Sequence, residues 1–296
     1  MRHLLGIANL APDEMAGLLD RAGALADGAK PADLTGRLQA NLFFENSTRT
    51  ALSFSLAARR TGAHAITLEA GASSLSKGET LFDTARTVEA LGADVLVIRH
   101  RETGAAARVA EQVAAAVINA GDGTGEHPTQ ALLDALTLRR RFGRLEGLRV
   151  TILGDLKHSR VAHSNMLLLT RAGAHVTAAG PPALTPDALP DAVTRATSAN
   201  AAMAGADAVM CLRVQRERLD EALDIAPADY HAAWGLTAER FALAPPHAIA
   251  MHPGPINRGV EIADRVADDP ARSLVLEQVR LGVPTRMAVL EWALGA

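Results

Sequence analysis

Five basic residues, Arg49, Lys77, Arg99, Arg160 and Arg213, stand just past five runs that read as β-strands. A guanidinium offers carboxylate or phosphate a planar fork of donors, and an ammonium offers a compact point charge. In an open parallel sheet, ligands bind beyond the carboxyl ends of the strands, so this placement points to one cleft. The chain carries a formal net charge of −3. A slightly acidic chain that sets its cations at strand ends is gathering positive charge for an anionic ligand. One arginine after a strand is usually a surface residue; the shared placement is the signal.

The clearest local pattern is Glu45-Asn46-Ser47-Thr48-Arg49-Thr50, between a strand and a helix. Hydroxyls and free N–H groups at a helix start, with the helix dipole behind them, suit a phosphate. The plainer alternative is ordinary N-capping by Ser or Thr. Arg49 within the same turn tips the reading toward phosphate. His127 follows Gly121 and Gly123 and precedes Pro128 and Gln130. On its own, a histidine in such a Gly-rich loop is more often a solvated or structural residue than a functional one. Lys77 lies among Ser73, Ser74, Ser76 and Gly78, a small polar loop expected to move, where a solvated lysine is the plainer reading. Gly154 precedes Arg160 after another strand, but the full G-x-G-x-x-G of a dinucleotide fold is absent.

These residues need elements to position them. Leu18, Leu19, Ala22 and Leu25 share a helical face behind the first-turn signals Pro12, Asp13 and Glu14. A strand at Asn41–Phe44 leads to a helix from about Thr50 to Thr61, stopped by Gly62. His64–Glu69 reads as a strand, Leu81 to Leu91 as a helix, and Asp94–Ile98 and Val117–Asn119 as buried strands. The second half repeats the order: strand Arg149–Leu153, helix Arg160–Ala172, strand His175–Ala179, a Pro-rich connection over 180–190, and strands near Asp207–Leu212 and His247–Met251. Gly and charge interrupt the pattern near Arg139–Gly147, the expected joint, and a last helix runs from about Pro284. The fold class expected is α/β: two domains, each a parallel sheet flanked by helices.

Phe43-Phe44-Glu45-Asn46-Ser47-Thr48-Arg49-Thr50 resembles the carbamoyl phosphate signature of the aspartate and ornithine carbamoyltransferases. The resemblance continues in order along nearly the whole chain. Ser74-Leu75-Ser76-Lys77-Gly78-Glu79-Thr80 is similar to the mobile loop of the aspartate-specific members. Ile98-Arg99-His100 is similar to their next anion-binding strand end, and the segment from Asn119 to Gln130 to the one that meets the carbamoyl group.

The resemblance implies a division into a carbamoyl phosphate-binding domain over 1–135, joined by a returning C-terminal helix at about 282–296, and an acceptor-binding domain over 136–281. It implies that Ser47, Thr48, Arg49 and Thr50 hold the phosphate. Thr50, Arg99 and His127 would donate to the carbamoyl oxygen, where charge grows as the amine attacks. Gln130 would meet the carbamoyl NH2, and Ser74, Gly254 and Pro255 would complete the carbamoyl phosphate set. Arg49, Thr50, Lys77, Arg99 and His127 form the implied catalytic group. No cofactor and no metal are expected, since two anions need only be held together and a carbonyl polarised. Positioning can contribute ~7–11 kcal/mol. Lys77 and Ser74, with Ser73 a close second, would reach a neighbouring subunit's site. The family pattern is a homotrimer with shared sites, open to a larger assembly with regulatory or dihydroorotase-like chains. Carbamoyl phosphate would bind first, and the domains would close on both substrates.

The acceptor follows from the second half. Arg160 and Arg213, from separate strand ends, suit two carboxylates, and Lys77 and Gln215 join them as implied aspartate-binding residues. A cationic ornithine side chain would be repelled. The His-Cys-Leu-Pro segment of the ornithine members is replaced by Met251-His252-Pro253-Gly254-Pro255, and Cys211 lies elsewhere. L-aspartate is therefore the expected acceptor, giving N-carbamoyl-L-aspartate on the route to pyrimidines. Another amine acceptor, or a non-catalytic scaffold, is the alternative. Three positions depart from the family pattern: Ala51 where a second Arg is usual, Gly254 for a larger residue and Val161 for a Thr.

Composition agrees. With 48% hydrophobic and 21% charged residues over 296 positions, the chain can bury two cores of ~150 residues each. The weak negative charge argues against nucleic-acid binding. The single Cys211 excludes an internal disulfide and cysteine-cluster metal sites. No apolar run nears the ~20 residues of a membrane span, and no signal peptide opens the chain, so a cytoplasmic location is expected.

Overall fold

A computed structural model describes residues 1–69, 79–214 and 226–296. The chain divides into two units, Met1–Leu136 with Leu281–Ala296, and Thr137–Arg280. In the first, helix α1 (Pro12–Ala26) precedes β1 (Leu38–Phe43), α2 (Thr48–Arg60), β2 (His64–Glu69), α3 (Leu81–Ala90), β3 (Val95–His100), α4 (Ala105–Ala110), β4 (Ala116–Asp122) and the start of α5 (Pro128–Phe142). The four strands form a parallel sheet in the order β2-β1-β3-β4. Leu42, Leu96, Ile98 and Val117 from the strands pack on Ala85 and Val88 of α3 and Ala106 and Val109 of α4. Near-continuous apolar strands are what a parallel sheet covered by helices requires.

The second unit contains β5 (Arg149–Leu153), α6 (Arg160–Arg171), β6 (His175–Ala179), β7 (Val193–Arg195), β8 (Ala208–Cys211), α7 (Pro227–Trp234), α8 (Ala238–Phe241), β9 (Ile249–Met251) and α9 (Asp264–Ala267). Its sheet is parallel throughout, in the order β7-β6-β5-β8-β9. Leu153, Val209, Cys211 and Ala250 pack there with Leu236, Phe241 and Ile262. Helix α10 (Val275–Leu294) completes the chain. The two-sheet α/β architecture expected from the sequence is what the structure has.

The last helix starts nine residues before the expected Pro284, which sits in its interior. Proline removes one backbone donor and usually marks a helix start, hence the misplaced boundary. The end of α10 is tied to the first unit by Glu291, which accepts from Arg21 Nε at 2.6 Å and from the Ala32 N–H at 2.8 Å. The Arg2 N–H also donates to the Ala293 carbonyl at 3.0 Å.

Candidate active site

In the first unit, the sheet register sets the distances. Phe43 pairs with Arg99 across β1 and β3, and the Phe44 N–H donates to the Arg99 carbonyl at 2.9 Å. Arg99 therefore lies within β3, near its end, rather than past it as expected; its pairing with β1 carries the strand two residues beyond Ile98. Opposite it, β4 has one extra residue: Ile98 pairs with Asn119, and His100 with Asp122. Such a bulge bends the strand and re-aims its groups. Gly121 takes φ +117° there, a conformation that side-chain-bearing residues rarely adopt. The bulge brings the Ala120 carbonyl to Arg99 Nη1 at 3.1 Å, while Arg99 Nη2 pairs with Glu45 Oε1 at 2.6 Å.

The turn from β1 into α2 carries Ser47 as the residue before the helix. Its backbone is extended, but its side chain caps no N–H. Its hydroxyl donates instead to Thr50 Oγ1 at 2.9 Å. Ser159, at the start of α6, behaves differently: its Oγ accepts from the Ala162 N–H at 3.2 Å. Ordinary N-capping therefore describes Ser159 and not Ser47. Thr48 and Arg49 are exposed, Ser47 is half-buried and Thr50 is buried. The helix runs from Thr48, two residues earlier than expected.

The third strand end supplies the segment from Asp122 to Gln130. Asp122 holds it: Oδ1 accepts from the Glu126 N–H at 2.8 Å and Oδ2 from the Gly104 N–H at 2.6 Å. Asn119 Nδ2 donates to Asp122 Oδ1 at 3.0 Å. Glu126 turns outward to accept from the Ile7 N–H at 2.8 Å and so anchors the N-terminal segment. His127 is buried and leads into α5 at Pro128, a favoured first helical residue. Its carbonyl accepts from the Gln130 N–H at 3.0 Å, and Gln130 Nε2 donates to the buried Asp134 at 2.9 Å. Ser47, Thr48, Arg49, Thr50, Arg99, His127 and Gln130 thus all lie at the carboxyl ends of three consecutive strands of the sheet, β1, β3 and β4. Lys77, Ser73 and Ser74 lie outside the described residues.

The second unit makes a matching arrangement at β5, β8 and β9. Gly154 takes φ +133°, and a Cβ there would stand 3.1 Å from Leu212 Cβ, so glycine permits the close approach of the two strand ends. Asp155 is buried and faces His158 Nδ1 at 3.0 Å, shaping the turn that ends at Ser159 and Arg160. Arg160 is half-buried at the first position of α6, and Arg213 is exposed just past β8. Beyond β9, His252 Nδ1 accepts from the Gly254 N–H at 2.7 Å, which leaves Nε2 as the donor to Glu261 Oε1 at 3.1 Å. Glu261 also accepts from the Asn257 N–H at 2.5 Å, and Asn257 Nδ2 donates to the Val214 carbonyl at 2.8 Å. Gly254 and Pro255, joined by a cis peptide bond, are therefore held beside the segment that carries Arg213. Gln215 lies outside the described residues.

Sequence reasoning assigned no part to Glu45, Asp134 or Glu261. Each is a carboxylate that orients a cation, amide or imidazole. Glu45 and Glu261 act across separate segments, where pairing leaves no mark on local spacing, whereas Gln130 and Asp134 stand four apart on one helix, a spacing that could have shown the pair. Burial raises the Cys211 thiol far above its usual range, so it is a core residue. Among the described residues, no cluster of three His, Cys, Asp or Glu side chains is arranged to hold a metal, and no helix is long and apolar enough to cross a membrane.

Residues 2–140 match the aspartate/ornithine carbamoyltransferase carbamoyl-P binding domain, and residues 146–293 match the Asp/Orn binding domain of the same proteins. The chain belongs to the aspartate/ornithine carbamoyltransferase family. It is 54% identical over 296 residues to the aspartate carbamoyltransferase catalytic subunit of Rhodospirillum rubrum, covering 98% of this chain and 93% of that one. It is 52% identical to the catalytic subunit of Parafrankia sp., covering 100% and 97%. Among solved structures, the aspartate transcarbamoylase of Trypanosoma cruzi in complex with carbamoyl phosphate superposes with a TM-score of 0.87 at 33% identity, covering 98% of this chain and 94% of that one. The ornithine carbamoyltransferase of Pyrococcus furiosus gives 0.88 at 28%, covering 100% and 97%. Backbone shape therefore does not separate the two branches of this carbamoyltransferase family; the side chains at the strand ends must.

Proposed function

We propose that this chain transfers the carbamoyl group of carbamoyl phosphate to the α-amino group of L-aspartate, giving N-carbamoyl-L-aspartate and phosphate. The observation that best supports this is the convergence of Ser47–Thr50, Arg99 and His127–Gln130 on three adjacent strand ends. In this reading Ser47, Thr48, Arg49 and Thr50 hold the phosphate. Thr50, Arg99 and His127 donate to the carbonyl oxygen as it gains charge, and Gln130 accepts from the NH2. Ser74, Gly254 and Pro255 complete the carbamoyl phosphate contacts. Arg160, Arg213, Gln215 and Lys77 take the aspartate carboxylates. The attacking amine's proton passes to the departing phosphate.

Residues 1–135 with 282–296 serve as the carbamoyl phosphate domain, and 136–281 as the aspartate domain. The working form is a cytoplasmic homotrimer in which Lys77 and Ser74 reach a neighbouring subunit's site, and regulatory or dihydroorotase-like chains can join it. An ornithine acceptor is the second reading, left open by a backbone as like the Pyrococcus furiosus enzyme as the Trypanosoma cruzi one. Arg160 and Arg213 weigh against it.

The test is carbamoyl transfer from carbamoyl phosphate to aspartate and to ornithine in parallel, with purified protein. Product with aspartate alone is expected. Product with ornithine alone would overturn the acceptor assignment, and no product with either would favour a scaffold.

A further inference from the structure

Gln130 can meet a carbamoyl NH2 only if it presents its carbonyl oxygen, because its own NH2 would oppose another donor. Something must fix that choice. Gln130 Nε2 donates to Asp134 Oδ1 at 2.9 Å, one turn along α5. An ionised carboxylate only accepts, so reversing the amide would set oxygen against oxygen. Asp134 has 0% exposure, and a carboxylate so buried needs cationic company to stay charged.

Arg286 of α10, itself buried, is near enough for its positive charge to act on Asp134. Burial pulls this guanidinium down to about 10, with Asp134 raising it and Arg99 lowering it, so it stays cationic at neutral pH. Its position is fixed from two sides. Nη1 donates to the Gly282 carbonyl at 3.0 Å, and the guanidinium carbon lies 5.0 Å from the centroid of the Phe54 ring. Phe54 is on α2, the helix that begins at the proposed phosphate turn. A Cβ on Gly282 would stand 2.8 Å from Arg286 Nη1, so a glycine there leaves room for the guanidinium.

We propose that Asp134, backed by Arg286, is a positioning residue that holds Gln130 with Oε1 toward the carbamoyl NH2 and thereby sets a preference for carbamoyl over acetyl phosphate. The inference rests on the functional reading above. The two phosphates differ in one group, NH2 against CH3, and a site built to accept from N–H leaves its acceptor unpaired when the donor is missing.

Asp134→Asn keeps the shape but can donate as well as accept, so it no longer fixes the amide. Binding of carbamoyl phosphate and of acetyl phosphate is measured by calorimetry. Carbamoyl phosphate should bind about tenfold more weakly to the variant, with acetyl phosphate changed less than about twofold. Gln130→Ala should narrow the preference alike, and the double variant no further. Equal weakening of both ligands, or no change in either, overturns the proposal. Arg49→Ala separates the two levels: it should weaken both ligands together, and a lack of effect on either sinks the functional reading itself. A measurement on the unaltered protein covers the case in which Asp134→Asn does not fold. The Gln130 side-chain NH2 should show one proton protected from exchange, before and after carbamoyl phosphate is added. Exchange of both protons at solvent rate overturns the proposal.

Discussion

Arg99 Nη2 and Glu45 Oε1 stand 2.6 Å apart, joining the end of β3 to the turn that opens α2. The arginine side chain is 11% exposed and the glutamate 35%. With Nη1 on the Ala120 carbonyl as well, the guanidinium is oriented by groups of the protein itself. A donor that needs no rearrangement is worth more to a developing charge than one that must be recruited. Glu45→Gln preserves shape and removes the charge. Stability should fall by about 1 kcal/mol in urea denaturation, the pair being partly solvated. The kcat/KM for carbamoyl phosphate should fall about tenfold, and unchanged kinetics would show that Arg99 does not depend on this partner.

Arg49 is exposed at the first turn of α2. Its replacement by alanine should leave the thermal melt and circular dichroism near those of the parent. Turnover should drop by about 10²–10³, the scale seen when one charge-stabilising donor is removed. An unfolded variant, or one with full activity, contradicts the role given to it.

Burial lowers the His100 imidazole below its ordinary 6.5, with Glu102 raising it and Arg101 and Arg108 lowering it. The fold therefore disfavours its charged form. The stability this represents is present above pH 6.5 and is lost as pH falls through the lowered midpoint, where the folded protein must also take up the proton. Compared with His100→Gln, the parent should lose stability between about pH 7 and 5. An NMR titration of the ring gives the midpoint directly, and a value above 6.5 would reverse the sign.

Glu291 is 4% exposed at its side chain and binds Arg21 through both oxygens, at 2.6 and 3.1 Å. Glu291→Ala removes both carboxylate bonds to that arginine and leaves the Ala32 N–H without its acceptor. The cost should be about 2 kcal/mol, below the ~3–5 of a fully buried pair because Arg21 is 36% exposed. Guanidinium unfolding with an unchanged midpoint would mean that this carboxylate does not hold α10.

Most of the architecture was legible because the strands of a parallel sheet are long apolar runs with helices at regular intervals. β5 and β6 fall on their predicted bounds, Arg149–Leu153 and His175–Ala179. α4 escaped detection, since six residues, four of them alanine, give no amphipathic contrast. β7 escaped because three residues at a sheet edge need only one buried side chain, Val193. Pro284 and Gly282 concealed the first half of α10. At the site, the donors were visible as motifs, whereas Glu45, Asp134 and Glu261 were not. A carboxylate that orients a neighbour is chosen by proximity in the fold, and proximity between residues 45 and 99 or 252 and 261 is invisible before the sheets form.

The first unit is assembled from two separated stretches of chain, residues 1–136 and 281–296. On a ribosome adding ~5–20 residues per second, roughly 7–30 s pass between the synthesis of Leu136 and that of Leu281. Throughout that interval the residues that α10 meets, Phe54 beneath Arg286 among them, lack that cover. The second unit is continuous and can fold first, so the nascent chain carries an unfinished N-terminal half for about half of its translation. A chaperone that recognises exposed apolar surface would meet it there, and a stalled chain ending before residue 281 would be marked for degradation by the half made earliest.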